Sequence, residues 1–246
     1  MRKQLILACH ITGVYDVNRN ETLMPDDFSI VSEWVKSVER LNLQGIIFHN
    51  NFSTQTCQSF NSEHVQFVKI AHHPKFNPNV YRYFVYLNYL KQNREEIESI
   101  FITDVSDVCV LKNPFSENLF KTNSKAIFCG DEPKILENEW MLAHSSHLRS
   151  KIADYAQYES DFATATLLNC GIVGGKIEVM FPFLQKLCEL HESYNFDNKT
   201  AYTGDMGAFN YLIRTQFNEV VLHGTPINTV FKAYDVENKE CWFRHK

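Results

Sequence analysis

The chain is 246 residues long, with 24 Lys plus Arg against 29 Asp plus Glu and a net charge of -5. That length suits one large domain, and the acidic balance excludes a general nucleic-acid binder, which needs a basic excess to displace counterions from phosphates. No apolar run approaches the roughly 18 residues of a membrane-crossing helix, and no repeat or Pro/Gly-rich linker divides the sequence, which reads as one domain over 1–246.

QLILAC (4–9) reads as a first β-strand, and its apolar run is too short for a signal peptide's core plus cleavage site. DDFSIVSEWVKSVERLN reads as a helix capped by Asp26 or Asp27, with Ile30, Trp34, Val35 and Val38 on its apolar face. GIIFHN (45–50) and HVQFVKI (64–70) read as short strands, NVYRYFVYLNYLKQN (79–93) as a helix, and SIFITDV (99–105) and KAIFCGD (125–131) as strands. TLLNCGIVGG (166–175) reads as a strand pair or strand-turn, and IEVMFPFLQKLCELHESY as a helix interrupted early by Pro182. GDMGAFNYLIRTQ reads as a helix opening near Asp205, and NEVVLHG (218–224) as a late strand.

Strands alternating with helices imply βαβ units, so the fold class is α/β with a mostly parallel central sheet flanked by helices. Seven cysteines, an odd number with no CxxC spacing, argue against a zinc site or a disulfide framework. In apolar surroundings they read as reduced core thiols, which points to the cytoplasm.

A parallel sheet binds ligands at the carboxyl ends of its strands, and FITDVSDVCVLKNPF (101–115) places two acids there. Side chains alternate along a strand, so Asp104 and Asp107 converge only if the chain turns at Val105-Ser106. Converging carboxylates suit a hard cation, Mn²⁺ or Mg²⁺, which in turn holds a diphosphate. The plain alternative is that Asp104 caps a turn and Asp107 is solvated.

IFITDVSDVCVLKNPF resembles the metal-binding segment of nucleotide-sugar glycosyltransferases of the GT-A fold, here with Asp-x-x-Asp in place of their Asp-x-Asp. Other segments resemble that family in the same order. YRYFVYLNYL brings Arg82 upstream of the metal strand; LLNCGIVGG resembles the Asn-Ser-Gly-Val stretch of the retaining galactosyl- and glucosyltransferase group; GDMGAFN resembles its Asp-Gln-Asp-Ala-Leu-Asn.

The resemblance implies a Rossmann-like GT-A domain with a nucleotide-binding part over about 1–115 and a sugar and acceptor part over about 116–246. It implies transfer of a sugar from a UDP- or GDP-linked donor to a hydroxyl of a glycan or lipid-linked acceptor, in surface polysaccharide or glycan synthesis. With a lipid-linked acceptor, peripheral association with the inner face of a membrane follows. Asp104 and Asp107 are the expected metal ligands, with a third from His223 or His245. Thr12, Tyr15, Asp16 and Arg19, in the loop after the first strand, would hold the nucleotide together with Arg82, and Lys246 beside His245 would face the diphosphate. Asn169 and Asp205 would orient sugar and acceptor. The NCGI and GDMGAFN matches tilt towards retention of configuration; an inverting reaction needs a carboxylate base, for which Asp131 or Glu132 is placed.

Two other functions use similar features. A sugar-1-phosphate nucleotidyltransferase shares the architecture but usually has a Gly-rich N-terminal signature, and ACHITGVYDVNR holds one Gly. A non-enzymatic carbohydrate-binding module suits the 13% aromatic content, yet has no need of two acids after a buried strand.

Overall fold

The computed structural model describes residues 2–16, 20–73, 75–194, 204–233, 238 and 240–246. The sequence-predicted strands condense into one seven-stranded sheet whose inner strands β1, β6 and β9 carry continuous buried runs, the pattern of a strand covered on both faces. β1 (Lys3–His10), a short hairpin of β2 (Tyr15–Asp16) and β3 (Glu21–Thr22), β4 (Gln44–His49), β5 (Val65–Lys69) and β6 (Ile97–Thr103) come first. β7 (Val108–Val110), β8 (Ile127–Ile135), β9 (Thr166–Lys176), β10 (Val221–His223) and β11 (Phe243–His245) follow. The order across the sheet is β10-β8-β9-β6-β1-β4-β5. β9 runs antiparallel to both β6 and β8, and the other pairings in the sheet are parallel.

The helices are α1 (Ser29–Arg40), α2 (Thr54–Phe60), α3 (Pro78–Asn93), α4 (Asn118–Thr122), α5 (Glu139–His144), α6 (Ser146–Arg149), α7 (Tyr155–Asp161), α8 (Ile177–Tyr194) and α9 (Asp205–Leu212). Strand alternation divides the core in two. Leu5, Leu7, Ile100 and Ile102 pack with Tyr83, Tyr86, Phe183 and Phe209 of α3, α8 and α9. Ile6, Ala8 and Phe101 pack on the other face with Val31, Trp34 and Val38 of α1 and with Val108, Trp242 and Phe243. No helix among the described residues is long and apolar enough to cross a membrane, and all seven cysteines are free thiols.

Four local expectations are corrected. α1 starts at Ser29 with Phe28, not an aspartate, at its N-cap position and no side-chain cap; Asp27 Oδ1 accepts from the Ser29 backbone N–H at 2.9 Å from one residue further back, while Asp26 turns away to accept from Ser53 N at 2.7 Å. On α1, Val31 takes the core position and Ile30 is only half-buried, because it faces a cleft. TLLNCGIVGG forms one continuous strand with no turn. Its glycines make room for neighbours: a Cβ at Gly174 would lie 2.3 Å from Phe101 Cδ1. α8 runs through Pro182, which lies in its second turn, so the missing i−4 hydrogen bond belongs to the carbonyl of the exposed Glu178, and Phe183, Leu184 and Leu187 anchor the helix just beyond. No local pattern marks the antiparallel pair β7–β11, which joins Val108–Val110 to Phe243–His245.

Candidate metal and donor site

The register of the parallel strands pairs His10 of β1 with His49 of β4 and Ala8 of β1 with Thr103 of β6, so the carboxyl ends of the three strands lie side by side along one sheet edge. Beyond Thr103 the chain bends over Val105–Asp107 before β7 begins, which supplies the turn the spacing of the two acids requires. The bend is held in place: Asp104 N donates to Gly171 O at 2.8 Å, and Trp34 Nε1 donates to Thr103 Oγ1 at 2.8 Å. β11, paired with β7, then delivers His245 opposite Val108.

Asp104, Asp107 and His245 are thereby brought together, each offering a ligand atom within 4.8 Å of the others. His245 Nε2 lies 3.9 Å from Asp104 Oδ2 and 3.8 Å from Asp107 Oδ2. Atoms bound to one cation at about 2.0–2.2 Å stand at most about 4.4 Å apart, and both distances from His245 fall inside that limit. Burial pushes the His245 imidazole down to about 4, against the pull of Asp104, so it stands neutral beside the carboxylates. A neutral imidazole is the form that binds metal. His245 N donates to Thr229 Oγ1 at 3.2 Å, and Phe231 packs edge-on against its ring at 4.6 Å. A Cβ at Gly171 would sit 2.5 Å from His245 Cε1 and 2.7 Å from Asp104 Oδ2, so only glycine leaves the space these ligands occupy.

The cluster opens on a cleft of about 400 Å³. Arg82 reaches into it from α3 and pairs with Asp104 Oδ1, leaving Oδ2 towards His245. Its other nitrogen lies 3.8 Å from Asp205 Oδ2 and 3.3 Å from Cys170 Sγ. Burial penalises the guanidinium charge, but Asp104 first, then Tyr83, Cys170 and Asp205, outweigh it and raise its pKa. Asp205, at the start of α9, is held on its other oxygen by His144 Nε2 at 3.1 Å. Asn169 Nδ2 donates to Glu132 Oε1 at 2.9 Å, while its own Oδ1 accepts from Gly171 N at 2.7 Å.

Of the expected site residues, Arg82, Asp104, Asp107, Glu132, Asn169, Asp205 and His245 line this cleft. Others stand elsewhere. His223 lies outside the metal cluster, with Nδ1 3.0 Å from Asp131 Oδ2. Asp131 itself is on the β8 face opposite Glu132, where Asn228 Nδ2 also donates to its carbonyl at 3.1 Å. Lys246 Nζ pairs with Glu33 at 2.9 Å, and Lys232 lines the cleft in its place. Thr12 is buried between loops, its backbone bonded to Asn50 and Asn51. Tyr15 is 53% exposed and bonds Asn20. Ile11 and Val14 of the same loop line the cleft instead, because they carry the apolar surface. Asp16 has its backbone in β2, but its side chain and all of Arg19 lie outside the described residues. Sequence reasoning missed His144, Trp140, Lys134 and Lys232; Trp140 and His144 are spaced i, i+4 in EWMLAH, the one signal that placed both on a single helix face.

No protein-family model matches the chain, and no curated protein matches it.

Proposed function

We propose that the chain is a metal-dependent glycosyltransferase of GT-A type, which moves a sugar from a nucleoside-diphosphate donor to an acceptor hydroxyl. The observation that carries this reading is the Asp104–Asp107–His245 cluster at a strand end, opening on a cleft lined by a charged arginine. Two carboxylates with one neutral imidazole favour Mn²⁺ over Mg²⁺, since magnesium prefers an all-oxygen shell. When bound there, the ion neutralises the negative charge that gathers on the departing diphosphate.

The chain's own residues account for the rest. Arg82 fixes Asp104 in orientation through one oxygen and keeps the other directed to the cluster. Lys232 at the cleft wall supplies a cation for the diphosphate. Ile11, Val14, Leu23 and Ile30 give the β1 end of the cleft an apolar lining suited to a nucleobase. Among the cleft carboxylates, Asp104 and Asp107 belong to the cluster and Asp205 is held between Arg82 and His144. Glu132, oriented by Asn169, is the group that takes the proton of the incoming hydroxyl. This favours inversion over the retention that the sequence matches suggested.

Incubation with UDP- and GDP-hexoses and Mn²⁺ tests the reading. Sugar transfer or slow donor hydrolysis, abolished by EDTA and by Asp107→Ala, is expected, with inverted configuration in the product. Pyrophosphate release from a nucleoside triphosphate and a sugar 1-phosphate, without donor hydrolysis, would show a nucleotidyltransferase instead.

A further inference from the structure

Three tryptophans occur in the chain, and they are not alike. Trp34 and Trp242 are 0% exposed, whereas Trp140 is 41% exposed and lines the cleft. An indole left partly in water at a cleft wall forgoes much of the stabilisation that its burial would give. Its position is firmly set. β8 ends at Ile135, a three-residue turn follows, and Asn138 Oδ1 caps α5 by accepting from Met141 N at 3.0 Å. Trp140 is the second residue of α5, and His144, one turn later, stacks on the indole with ring centroids 4.5 Å apart and planes at 22°. His144 is itself fixed by Asp205 at 3.1 Å. One indole face is therefore covered by a held ring, while the residue keeps solvent-accessible surface at the cleft.

Polar groups line the same cleft. Glu132 and Lys134 both line the cleft, 3.8 Å apart as an ion pair, and Asn169 donates to Glu132. A flat aromatic face beside paired donors and acceptors matches a pyranose ring: its C–H face packs on the indole and its hydroxyls bond the polar rim. A lipid chain would gain nothing from the ion pair, and a phosphate would meet the Glu132 carboxylate.

We propose that Trp140, with Glu132 and Lys134, forms the acceptor subsite, and that the acceptor is a saccharide bound through a pyranose ring stacked on the indole. Its role as an acceptor site rests on the transferase reading, because it needs a donor beside it.

Acrylamide quenching of intrinsic fluorescence tests this on the full chain, since Trp140 is the tryptophan the quencher reaches. Methyl α- and β-glycosides of glucose, galactose, mannose and N-acetylglucosamine serve as probes, with glycerol as the ringless control. At least one glycoside is expected to protect the fluorescence saturably and to reduce quenching two-fold or more, with no effect from glycerol. Trp140→Ala should abolish the response, Trp140→Phe should retain saccharide binding by calorimetry, and both variants should keep Mn²⁺-dependent binding of the nucleoside diphosphate at the wild-type Kd. Two results overturn the subsite: no glycoside protects the wild type, or protection equals that by glycerol. If the variants bind nucleotide normally in that case, the transferase reading stands without the subsite. Glycoside protection in a protein that binds no nucleotide would instead support the subsite and remove the transferase reading.

Discussion

Gly171 and Arg82 carry the site at the scale of single residues. Gly171→Ala inserts a methyl group 2.5 Å from His245 Cε1 and 2.7 Å from Asp104 Oδ2, so one ligand must move. We expect Mn²⁺ affinity, measured by calorimetry, to fall by about 10- to 100-fold, the range for disturbed ligand orientation. Arg82→Ala leaves Asp104 and the buried Asp205 without their shared cation. Removing one partner of a buried pair costs about 3–5 kcal/mol; Asp104 is 29% exposed, so about 2–3 kcal/mol is expected from urea unfolding, together with loss of donor binding. The two acids were legible from residue types and strand-end spacing, and Arg82 only from the resemblance of YRYFVYLNYL to a glycosyltransferase segment. The choice of His245 over His223 was not, because it depends on the pairing of residues far apart in sequence, β7 with β11. Asp131 and Glu132 are told apart only in three dimensions: neighbours in sequence, they face opposite sides of β8, and of the two Glu132 lines the cleft.

The helices show how packing sets what the segments can do. Asn210 of α9 matched a family motif, yet its side chain joins α9 to β9: Nδ2 donates to Leu168 O at 2.9 Å and Oδ1 accepts from Leu168 N at 3.0 Å. Asn210→Ala strands both buried groups, and urea unfolding should show a loss of about 2–4 kcal/mol with no specific change in nucleotide affinity. On α8, His191 is fully buried and stacks on Tyr83 of α3 with centroids 5.6 Å apart. Burial pushes its pKa down from 6.5 to about 3. The unfolded chain therefore takes up a proton near pH 6.5 while the folded chain does not. This contribution to stability is complete above pH 6.5 and is lost as pH falls towards 3. Between pH 6.5 and 5.0 the loss is about 2 kcal/mol, at about 1.4 kcal/mol per pH unit. Denaturant midpoints across that range should fall more steeply for the wild type than for His191→Gln. The strands of the central sheet were readable from their apolar runs and the amphipathic α1 from its periodicity; the unbroken course of β9 was not, since glycine suggests a turn until the side chains that fill its Cβ space are known.

At the scale of the whole molecule, the sheet uses both ends of the chain to complete one site. β1, β6 and α3 supply the β1 end of the cleft, Asp104 and Arg82, while β9, α9 and β11 supply Asn169, Asp205 and His245. The α/β class followed from the alternation of strands and helices, whereas the antiparallel insertion of β9 between β6 and β8 is a matter of tertiary pairing that no local pattern encodes. A cation bound across these segments ties them together, so an ion at 100 times its Kd should stabilise the fold by about 2.7 kcal/mol and raise Tm accordingly. The most direct test is calorimetric titration of UDP and of GDP into the protein with and without Mn²⁺, on the wild type and on Asp107→Ala and His245→Ala. A donor held through the metal cluster requires that one of the two nucleotides binds only with Mn²⁺, and that either substitution lowers its affinity at least 10-fold while the variants remain folded. Nucleotide binding that is indifferent to Mn²⁺ and to both substitutions would contradict it.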